Sequence, residues 1–261
     1  MTAAGRPPYA CPVLETTVVV PTYEEAGNVA ELLRRIRTAV PTARVLIVDD
    51  GSRDGTPEIA EALNSELGGV DVLRRTAKEG LGPAYRAGFA RALREGTEVV
   101  VTMDADLSHD PATLPMLIAA IEDGADVAVG SRYIPGGSIA NWPASRRVLS
   151  AWGNRYATSA LKLPVSDATS GYRAYRASLV DDVTRAPVRA SGYGFLIELA
   201  YRVSCEGNKM VEVPITFVDR RWGSSKISIR SIVEAAVLVS LWGARDRVRE
   251  SVRRRRVGAS A

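Results

Sequence analysis

Two aspartates separated by a single residue, Asp104 and Asp106, follow the apolar run 99–103. In the extended end of a strand, residues i and i+2 point the same way, so both carboxylates can face one divalent cation. Mg²⁺ and Mn²⁺ accept such oxygen ligands and keep coordination positions open for phosphates. Acidic pairs also occur in ordinary turns, so the preceding strand is the feature that favours a metal site here.

A second acidic pair, Asp49 and Asp50, follows the apolar run 44–48 and precedes Gly51 and Ser52. Asp-Gly sequences are typical of turns. A carboxylate held at a strand end can equally accept a hydrogen bond from a base or a ribose hydroxyl. The pattern alone leaves both interpretations open.

Several classes of protein are excluded by what the chain lacks. It contains one histidine, His109, and no G-x-S-x-G elbow, so a serine hydrolase site has little basis. Its two cysteines, Cys11 and Cys205, lack metal-ligand spacing, which argues against zinc and Fe–S sites. No G-x-x-x-x-G-K-[ST] phosphate-binding loop is present. Gly80 and Gly82 match the first two glycines of the dinucleotide-binding motif G-x-G-x-x-G, but Tyr85 stands at the position of the third glycine. We interpret His109 as a loop residue.

The elements that must position these residues alternate along the chain. Short β-branched runs, several almost wholly apolar, are separated by amphipathic stretches, which predicts an α/β fold built on a βαβ sheet. Thr56 and Asp110 each precede a proline and are predicted helix N-caps. Such a sheet gathers its ligand site at the carboxyl ends of its strands, so the acidic pairs and Arg132 should converge there. We predict strands over 16–20, 44–48, 70–73, 98–102, 126–129 and 210–218, and helices over 25–39 and 83–94.

Composition and charge give the broad class. The chain has 261 residues, of which 46% are hydrophobic and 25% charged, as in a folded soluble protein. The net charge of +4 is uneven, because residues 245–256 hold seven arginines against two acids. No N-terminal stretch has the apolar run of a signal peptide. The longest apolar stretch, 232–244, contains Glu234 and is too short to cross a bilayer.

Over roughly residues 14–230 the chain resembles inverting family 2 glycosyltransferases, and most specifically their dolichyl- and polyprenyl-phosphate mannose synthase branch. The later, arginine-bearing motifs and the 219–226 segment indicate that branch. The motifs that carry the resemblance are V-P-T-Y-E-E at 20–25, I-V-D-D-G-S at 47–52, M-D-A-D-L-S-H at 103–109, G-S-R-Y at 130–133 and T-S-G-Y-R at 169–173.

The resemblance implies a GT-A glycosyltransferase fold, a Rossmann-like mixed sheet flanked by helices. It assigns Arg220 and Lys226 to the donor's phosphates. Ser108 stands where several relatives carry a glutamine metal ligand, so it joins Asp104 and Asp106 as a predicted ligand of Mg²⁺ or Mn²⁺. The positions that match the family's nucleotide and diphosphate contacts are Pro21, Tyr23, Glu25, Val48, Asp50, Asp104, Ala105, Asp106, Arg220 and Lys226.

The reaction implied is transfer of mannose from GDP-mannose to a polyprenyl phosphate with inversion. A phosphate monoester is already ionised near neutral pH, so it needs a positively charged cradle more than a general base. The resemblance places Arg132, Arg146 and Ser150 at the acceptor phosphate, and the predicted catalytic residues are Asp106, Arg132, Arg220 and Lys226. The alternatives are the same reaction with UDP-glucose or another sugar nucleotide, and a non-catalytic nucleotide-sugar-binding or membrane-scaffold protein.

Further residues of this region have two interpretations each. Asp167 and Arg173 could pair structurally or help to position the acceptor. Trp142, Trp152 and Tyr156 could be packing residues or could contact lipid. The sequence leaves these alternatives open.

We predict four segments: a flexible N-terminal segment 1–13, a catalytic domain 14–226, an amphipathic helix 227–244 and a basic tail 245–261. The helix and the arginines that follow it favour attachment at a membrane surface, although a docked helix with a solvated tail fits the same pattern. The expected location is cytoplasmic, peripheral on the inner face of the membrane, with a membrane-embedded partner subunit as one option. The tail has no folded nucleic-acid-binding module behind it, so no nucleic acid is expected.

Overall fold

The computed structural model describes residues 14–185, 193–219 and 229–258. The strands are β1 (Thr16–Thr22), β2 (Arg44–Asp49), β3 (Val70–Arg74), β4 (Val99–Thr102), β5 (Val127–Ser131), β6 (Ser138–Ala140), β7 (Arg173–Arg176), β8 (Met210–Pro214) and β9 (Thr216–Val218). The helices are α1 (Ala26–Ala39), α2 (Thr56–Leu67), α3 (Leu81–Arg94), α4 (Leu114–Glu122), α5 (Ala144–Ala160), α6 (Ala177–Arg185), α7 (Tyr193–Cys205) and α8 (Ile229–Gly258).

Seven strands form one mixed sheet in the order β3-β2-β1-β4-β7-β5-β8. Strand β1 is parallel to both β2 and β4, and Val18 is in register with Val45 on one side and Val101 on the other. Strand β7 runs antiparallel between β4 and β5. The carboxyl ends of β1, β2, β4 and β5 therefore share one edge, as the sequence predicts.

The central strands are apolar on both faces because helices cover both faces. Val18 and Val20 belong to the apolar layer beneath α1 and α4, whereas Val19 belongs to the layer beneath α3 and α7. Helix α3 lies very close to β1 at Gly88, where a Cβ atom would approach Val19 Cγ1 to 2.4 Å. This tight packing fixes the helix against the strand that supports the site.

The predicted single strand over 210–218 is wrong. Residues 210–214 form β8 in the main sheet, while β9 pairs with β6 in a separate two-stranded ribbon. The division falls at Pro214 and Ile215. Proline has no N–H to donate to a neighbouring strand, which is why it tends to end regular pairing.

One predicted helix N-cap is confirmed and the other is wrong. The Asp110 carboxylate accepts the Ala112 amide proton at 3.0 Å at the start of a short 3-10 turn. Thr56, in contrast, is the first residue of α2, and its amide donates to the Asp54 carboxylate at 3.1 Å. The cap residue before it is Gly55.

Helix α8 lies against α5 and α7. The Tyr201 and Trp242 rings are stacked with centroids 5.5 Å apart, and the hydroxyls of Tyr156 and Ser240 are hydrogen-bonded at 2.6 Å. The helix continues through 245–258, which the sequence analysis assigned to a separate tail. Within the described ranges, none of the helices combines the length and the apolar character needed to cross a membrane.

Candidate active site

The predicted acidic pair and the two arginines predicted at the acceptor phosphate line one cleft of about 250 Å³. Asp104 and Asp106 follow β4, Arg132 follows β5, and Arg146 and Ser150 project from α5. Asp50 is not among the described residues that line this cleft. It lies at the end of β2, further along the same edge of the sheet.

The turn after β4 exposes one aspartate and buries the other. The Asp104 side chain is about one-third exposed, whereas Asp106 is buried and accepts the Ser108 amide proton at 3.1 Å. Leu107, between Asp106 and Ser108, adopts the left-handed region with φ +59°. The buried Ser108 hydroxyl has no hydrogen-bond partner among the described residues.

Two carboxylates and an unpartnered hydroxyl fit a hard divalent cation that completes its coordination with phosphate oxygens and water. Among the residues that the structure describes, no cluster of three or more His, Cys, Asp or Glu side chains forms a closed metal cage. The donor set of Asp104, Asp106 and Ser108 therefore suits Mg²⁺ or Mn²⁺ shared with a substrate.

His109 is a structural residue of this turn. Its ring is buried, stacked on Tyr172 at 4.9 Å and edge-on to Phe217 at 5.5 Å. Burial lowers the pKa of His109 to about 4, so the imidazole is neutral at pH 7. Its Nδ1 accepts the Asp104 amide proton at 3.4 Å. The interpretation of His109 as a loop residue is consistent with this geometry.

The two aspartates at the end of β2 have separate roles. The Asp49 carboxylate closes the turn, since it accepts amide protons from Gly51 at 3.1 Å and Ser52 at 2.9 Å. Asp50 forms a buried ion pair with Arg75. Burial raises the pKa of Asp50 more than the Arg75 charge lowers it. The turn interpretation thus describes Asp49, while the predicted nucleotide contact of Asp50 stays a prediction.

The remaining positions that are predicted to contact the nucleotide lie around the ends of β1 and β2. Pro21 and Val48 are register partners in the sheet. The Glu25 carboxylate accepts a proton from Asn28 Nδ2 at 2.9 Å at the start of α1. The Lys78 ammonium lies 3.9 Å from the centre of the Tyr23 ring.

Both cleft arginines have a carboxylate partner, but the two pairs differ. Arg132 is buried and binds Asp167 with Nε–Oδ2 and Nη2–Oδ1 distances of 2.6 and 2.7 Å. Arg146 is half-buried, 3.3 Å from Asp219, and its guanidinium lies 3.9 Å from the Trp142 ring centre. Among the described residues that line the cleft, three carboxylates outnumber two guanidiniums, and Asp167 behind Arg132 adds another negative charge.

These motifs and this sheet can be compared with known proteins. The model of the family described as Glycosyl transferase family 2 matches residues 17–184. The chain belongs to this family.

Curated relatives of this glycosyltransferase cover nearly the whole chain. It is 45% identical over 238 residues to polyprenol monophosphomannose synthase of Mycolicibacterium smegmatis, covering 91% of this chain and 90% of the relative. It is 44% identical over 230 residues to undecaprenyl-phosphate mannosyltransferase of Micrococcus luteus, covering 88% and 94%. The resemblance to polyprenyl-phosphate mannose synthases and the prediction of a glycosyltransferase enzyme are confirmed.

The fold is also shared with solved structures. Glucosyl-3-phosphoglycerate synthase from Mycobacterium tuberculosis, in complex with Mn²⁺, uridine diphosphate and phosphoglyceric acid, superposes with a TM-score of 0.63 at 19% identity. The match covers 87% of this chain and 76% of that chain. The predicted GT-A fold is thereby confirmed.

Some predicted site residues lie outside the part of the chain that the structure describes. Arg220 and Lys226 fall in the undescribed segment 220–228. The predicted N-terminal segment 1–13 is outside it as well. The roles of these residues stay predictions.

The glycosyltransferase does not pair Asp167 with Arg173, which is one of the alternatives that the sequence leaves open. Asp167 pairs with Arg132 instead. The buried Arg173 guanidinium donates to the carbonyl oxygens of Ser170, Leu196 and Ala168 at 2.8, 2.9 and 2.6 Å. Arg173 thus has the structural role, and Asp167 supports Arg132, which lines the cleft.

Sequence reasoning missed Arg75 and Lys78 near the nucleotide-side residues. Both follow β3, whose carboxyl end lies at the same edge as those of β1 and β2. The strand-end rule that found Asp50 and Asp106 would have found Arg75 if it had also been applied to the third strand.

Proposed function

We propose that this enzyme transfers mannose from GDP-mannose to a polyprenyl phosphate with inversion at the anomeric carbon, giving polyprenyl phosphomannose and GDP. The observation that carries the proposal is the cleft itself, in which Asp104 and Asp106 face Arg132 and Arg146 beside an apolar wall. The names of the two relatives support mannose and a polyprenyl phosphate. GDP-mannose as the donor rests on the resemblance of the sequence motifs.

Asp104, Asp106 and Ser108 would hold Mg²⁺ or Mn²⁺. The described lining of the cleft is net acidic, which opposes entry of a diphosphate unless a cation accompanies it. A bound divalent cation would neutralise charge on the departing diphosphate as a Lewis acid. Arg220 and Lys226 are predicted to bind the same diphosphate.

The acceptor phosphate serves as the nucleophile in this proposal, and no side chain has to remove a proton from it. His109 is neutral but buried, with Nδ1 already engaged by the Asp104 amide. Arg132 and Arg146 would orient one phosphate oxygen toward the anomeric carbon, and Ser150, whose hydroxyl accepts from Tyr133 at 2.7 Å, lies beside them.

The lipid part of the acceptor fits the apolar side of the cleft. Leu149 and Trp152 of α5 line the cleft and are also exposed at the protein surface. Val233, Val237 and Leu241 of α8 recur every four residues and are likewise exposed. We call these five side chains the α5/α8 face. Exposed apolar side chains of this kind are characteristic of binding to a membrane or another apolar partner.

We therefore propose peripheral attachment through the α5/α8 face, with the arginines of 245–256 directed to anionic lipid. A position on the inner, cytoplasmic face of the membrane and a membrane-embedded partner subunit stay predictions. Lipid contact for Trp152 follows from this proposal, whereas Trp142 is buried against Phe217 and fits the packing alternative.

The experiment compares labelled GDP-mannose and UDP-glucose with the same polyprenyl phosphate and either Mg²⁺ or Mn²⁺. We expect a β-linked lipid phosphomannose from GDP-mannose and at least tenfold less product from UDP-glucose. Preferential transfer from UDP-glucose would refute the donor assignment. Binding of both sugar nucleotides without any lipid-linked product would refute the proposed reaction.

A further inference from the structure

Arg132 is held from behind by a fully buried carboxylate. Asp167 accepts from Arg132 Nε at 2.6 Å and from Nη2 at 2.7 Å, and it also accepts the Arg132 backbone amide proton at 3.2 Å. Three bonds to one carboxylate fix both the backbone and the side-chain plane of Arg132. Paired hydrogen bonds of this kind restrict orientation more strongly than a single contact does.

The Thr169 hydroxyl completes the support. It accepts from Arg132 Nη2 at 2.8 Å and from Asn154 Nδ2 at 2.9 Å, and it donates to Asp167 Oδ1 at 3.2 Å. A hydroxyl has one proton and two acceptor lone pairs, so this arrangement uses all of its hydrogen-bonding capacity. Rotation of Arg132 would break several of these bonds together.

Two aromatic rings further restrict the movement of the Arg132 guanidinium. Its central carbon lies 5.3 Å from the Tyr133 ring centre and 5.4 Å from the Phe217 ring centre. Nε and Nη2 donate to Asp167 and Thr169. Nη1 is the guanidinium nitrogen that takes part in none of these three bonds. Arg132 nevertheless lines the cleft that contains Asp104 and Asp106.

We propose that Asp167 is a positioning residue of the transfer reaction, which together with Thr169 fixes the Arg132 guanidinium for an anionic phosphate in the cleft. This inference rests on the function proposed above. The Asp167 carboxylate cancels the net charge of Arg132, so Arg132 acts mainly through directed N–H groups. A group already held in position loses little freedom when the ligand arrives, and misplacement by about 1 Å can cost about 100-fold in rate.

The ionisation of Asp167 is consistent with this role. Burial alone would raise its pKa, but the Arg132 charge and hydrogen bonds outweigh burial and hold the pKa below its usual range. Asp167 therefore stays a carboxylate at neutral pH. In Asp167→Asn the new amide can accept from only one of the two guanidinium nitrogens, because its NH₂ group would face the other.

The test uses the full-length enzyme and four variants: Asp167→Asn, Thr169→Val, Arg132→Lys and the double variant Asp167→Asn/Arg132→Lys. For Asp167→Asn we expect kcat/KM for polyprenyl phosphate to fall at least about tenfold, while KM for GDP-mannose changes less than about threefold. Thr169→Val leaves the ion pair in place and should lose about threefold to tenfold. In the Arg132→Lys background, Asp167→Asn should have less than about twofold further effect, since lysine cannot use the same two-point support.

Glu198→Gln is the matched control, because Glu198 is a buried carboxylate paired with Arg202 on α7 outside the described cleft lining. Its transfer rate should stay within about twofold of wild type. The inference is overturned if Asp167→Asn and Thr169→Val both keep kcat/KM for the acceptor within twofold. It is also overturned if Asp167→Asn weakens donor and acceptor equally.

A second measurement separates this inference from the proposed function. If wild-type enzyme forms no polyprenyl phosphomannose, the proposed function fails, and binding of a short-chain prenyl phosphate is measured by calorimetry instead. At least tenfold weaker binding by Asp167→Asn would then support the positioning role. Equal binding by wild type and variant would overturn it.

Discussion

Replacing Val237 and Leu241 with serine should detach the enzyme from membranes without impairing its chemistry. Both side chains belong to the α5/α8 face and are 52% and 60% exposed. Neither is among the described residues that line the cleft. The double variant therefore changes the proposed membrane contact while leaving the described cleft residues in place.

The magnitude follows from the exposed fractions. Full burial of a valine or leucine side chain is worth about 1.5–3 kcal/mol, so burying roughly half of each contributes about 2 kcal/mol together. At 25 °C this corresponds to about a 30-fold change in the partition coefficient. The estimate assumes that both exposed portions leave water when the protein binds.

The assay is co-sedimentation with liposomes of mixed zwitterionic and anionic lipid, and Met116→Ser is the control. Met116 is 43% exposed on α4, away from the α5/α8 face. Its serine variant should bind liposomes like wild type. Mannose transfer to a short, water-soluble prenyl phosphate should be equal for all three proteins.

Two results would refute this reasoning. Wild-type binding by the Val237→Ser/Leu241→Ser protein would show that the α5/α8 face does not contact lipid. An equal loss of binding in Met116→Ser would show that the effect is not specific to that face. If the double variant binds normally and removal of 245–261 abolishes binding, attachment depends on the arginines instead.

Three further outcomes are expected. Asp106→Asn should lower the transfer rate at least about 100-fold, because mutation of a residue that only supports a metal ligand already lowers metal affinity or activity about 10- to 100-fold. Near-normal activity of this variant in the presence of a chelator would contradict the metal proposal. Folding lowers the pKa of Asp167, so the stabilisation by its carboxylate is present above the unfolded pKa of about 3.9 and is lost as pH falls through the folded value. Urea titrations should therefore show that the stability difference between wild type and Asp167→Asn shrinks below about pH 4. Gly88→Ala should lower the free energy of unfolding by about 1–3 kcal/mol, because its Cβ would meet Val19 Cγ1 at 2.4 Å, and unchanged denaturation would show that α3 can shift.

The parallel half of the sheet was predictable because its strands are buried on both faces. Strands β1, β2 and β4 consist almost entirely of β-branched or other apolar residues, and hydrophobic runs of that kind can be identified from sequence. The strand-end rule then brought Asp104, Asp106 and Arg132 to one edge. Predicting that these three residues converge required no knowledge of side-chain contacts.

Strand β7 was missed for an equally physical reason. Its sequence, Arg-Ala-Tyr-Arg at 173–176, begins and ends with a charged residue and has no hydrophobic run. Arg173 can be buried there only because three carbonyl oxygens of the folded chain accept its protons. Those carbonyls come from the 168–170 segment and from α7, so no local pattern reveals that the arginine belongs inside the sheet.

No local sequence pattern identifies Asp167 as the partner of Arg132 either. The difference between the two arginine pairs has a consequence for ligand binding. The Arg132–Asp167 pair is buried and bidentate, and breaking such a pair costs about 3–5 kcal/mol because a buried charge is left uncompensated. The Arg146–Asp219 pair is partly exposed at 3.3 Å, where ion pairs contribute about 0–1 kcal/mol. An anion that enters the cleft can therefore replace Asp219 at Arg146 at little cost, but it cannot replace Asp167. Under the proposed function, Arg132 would provide the fixed reference for the phosphate, and Arg146 would be the arginine that changes partner to bind it.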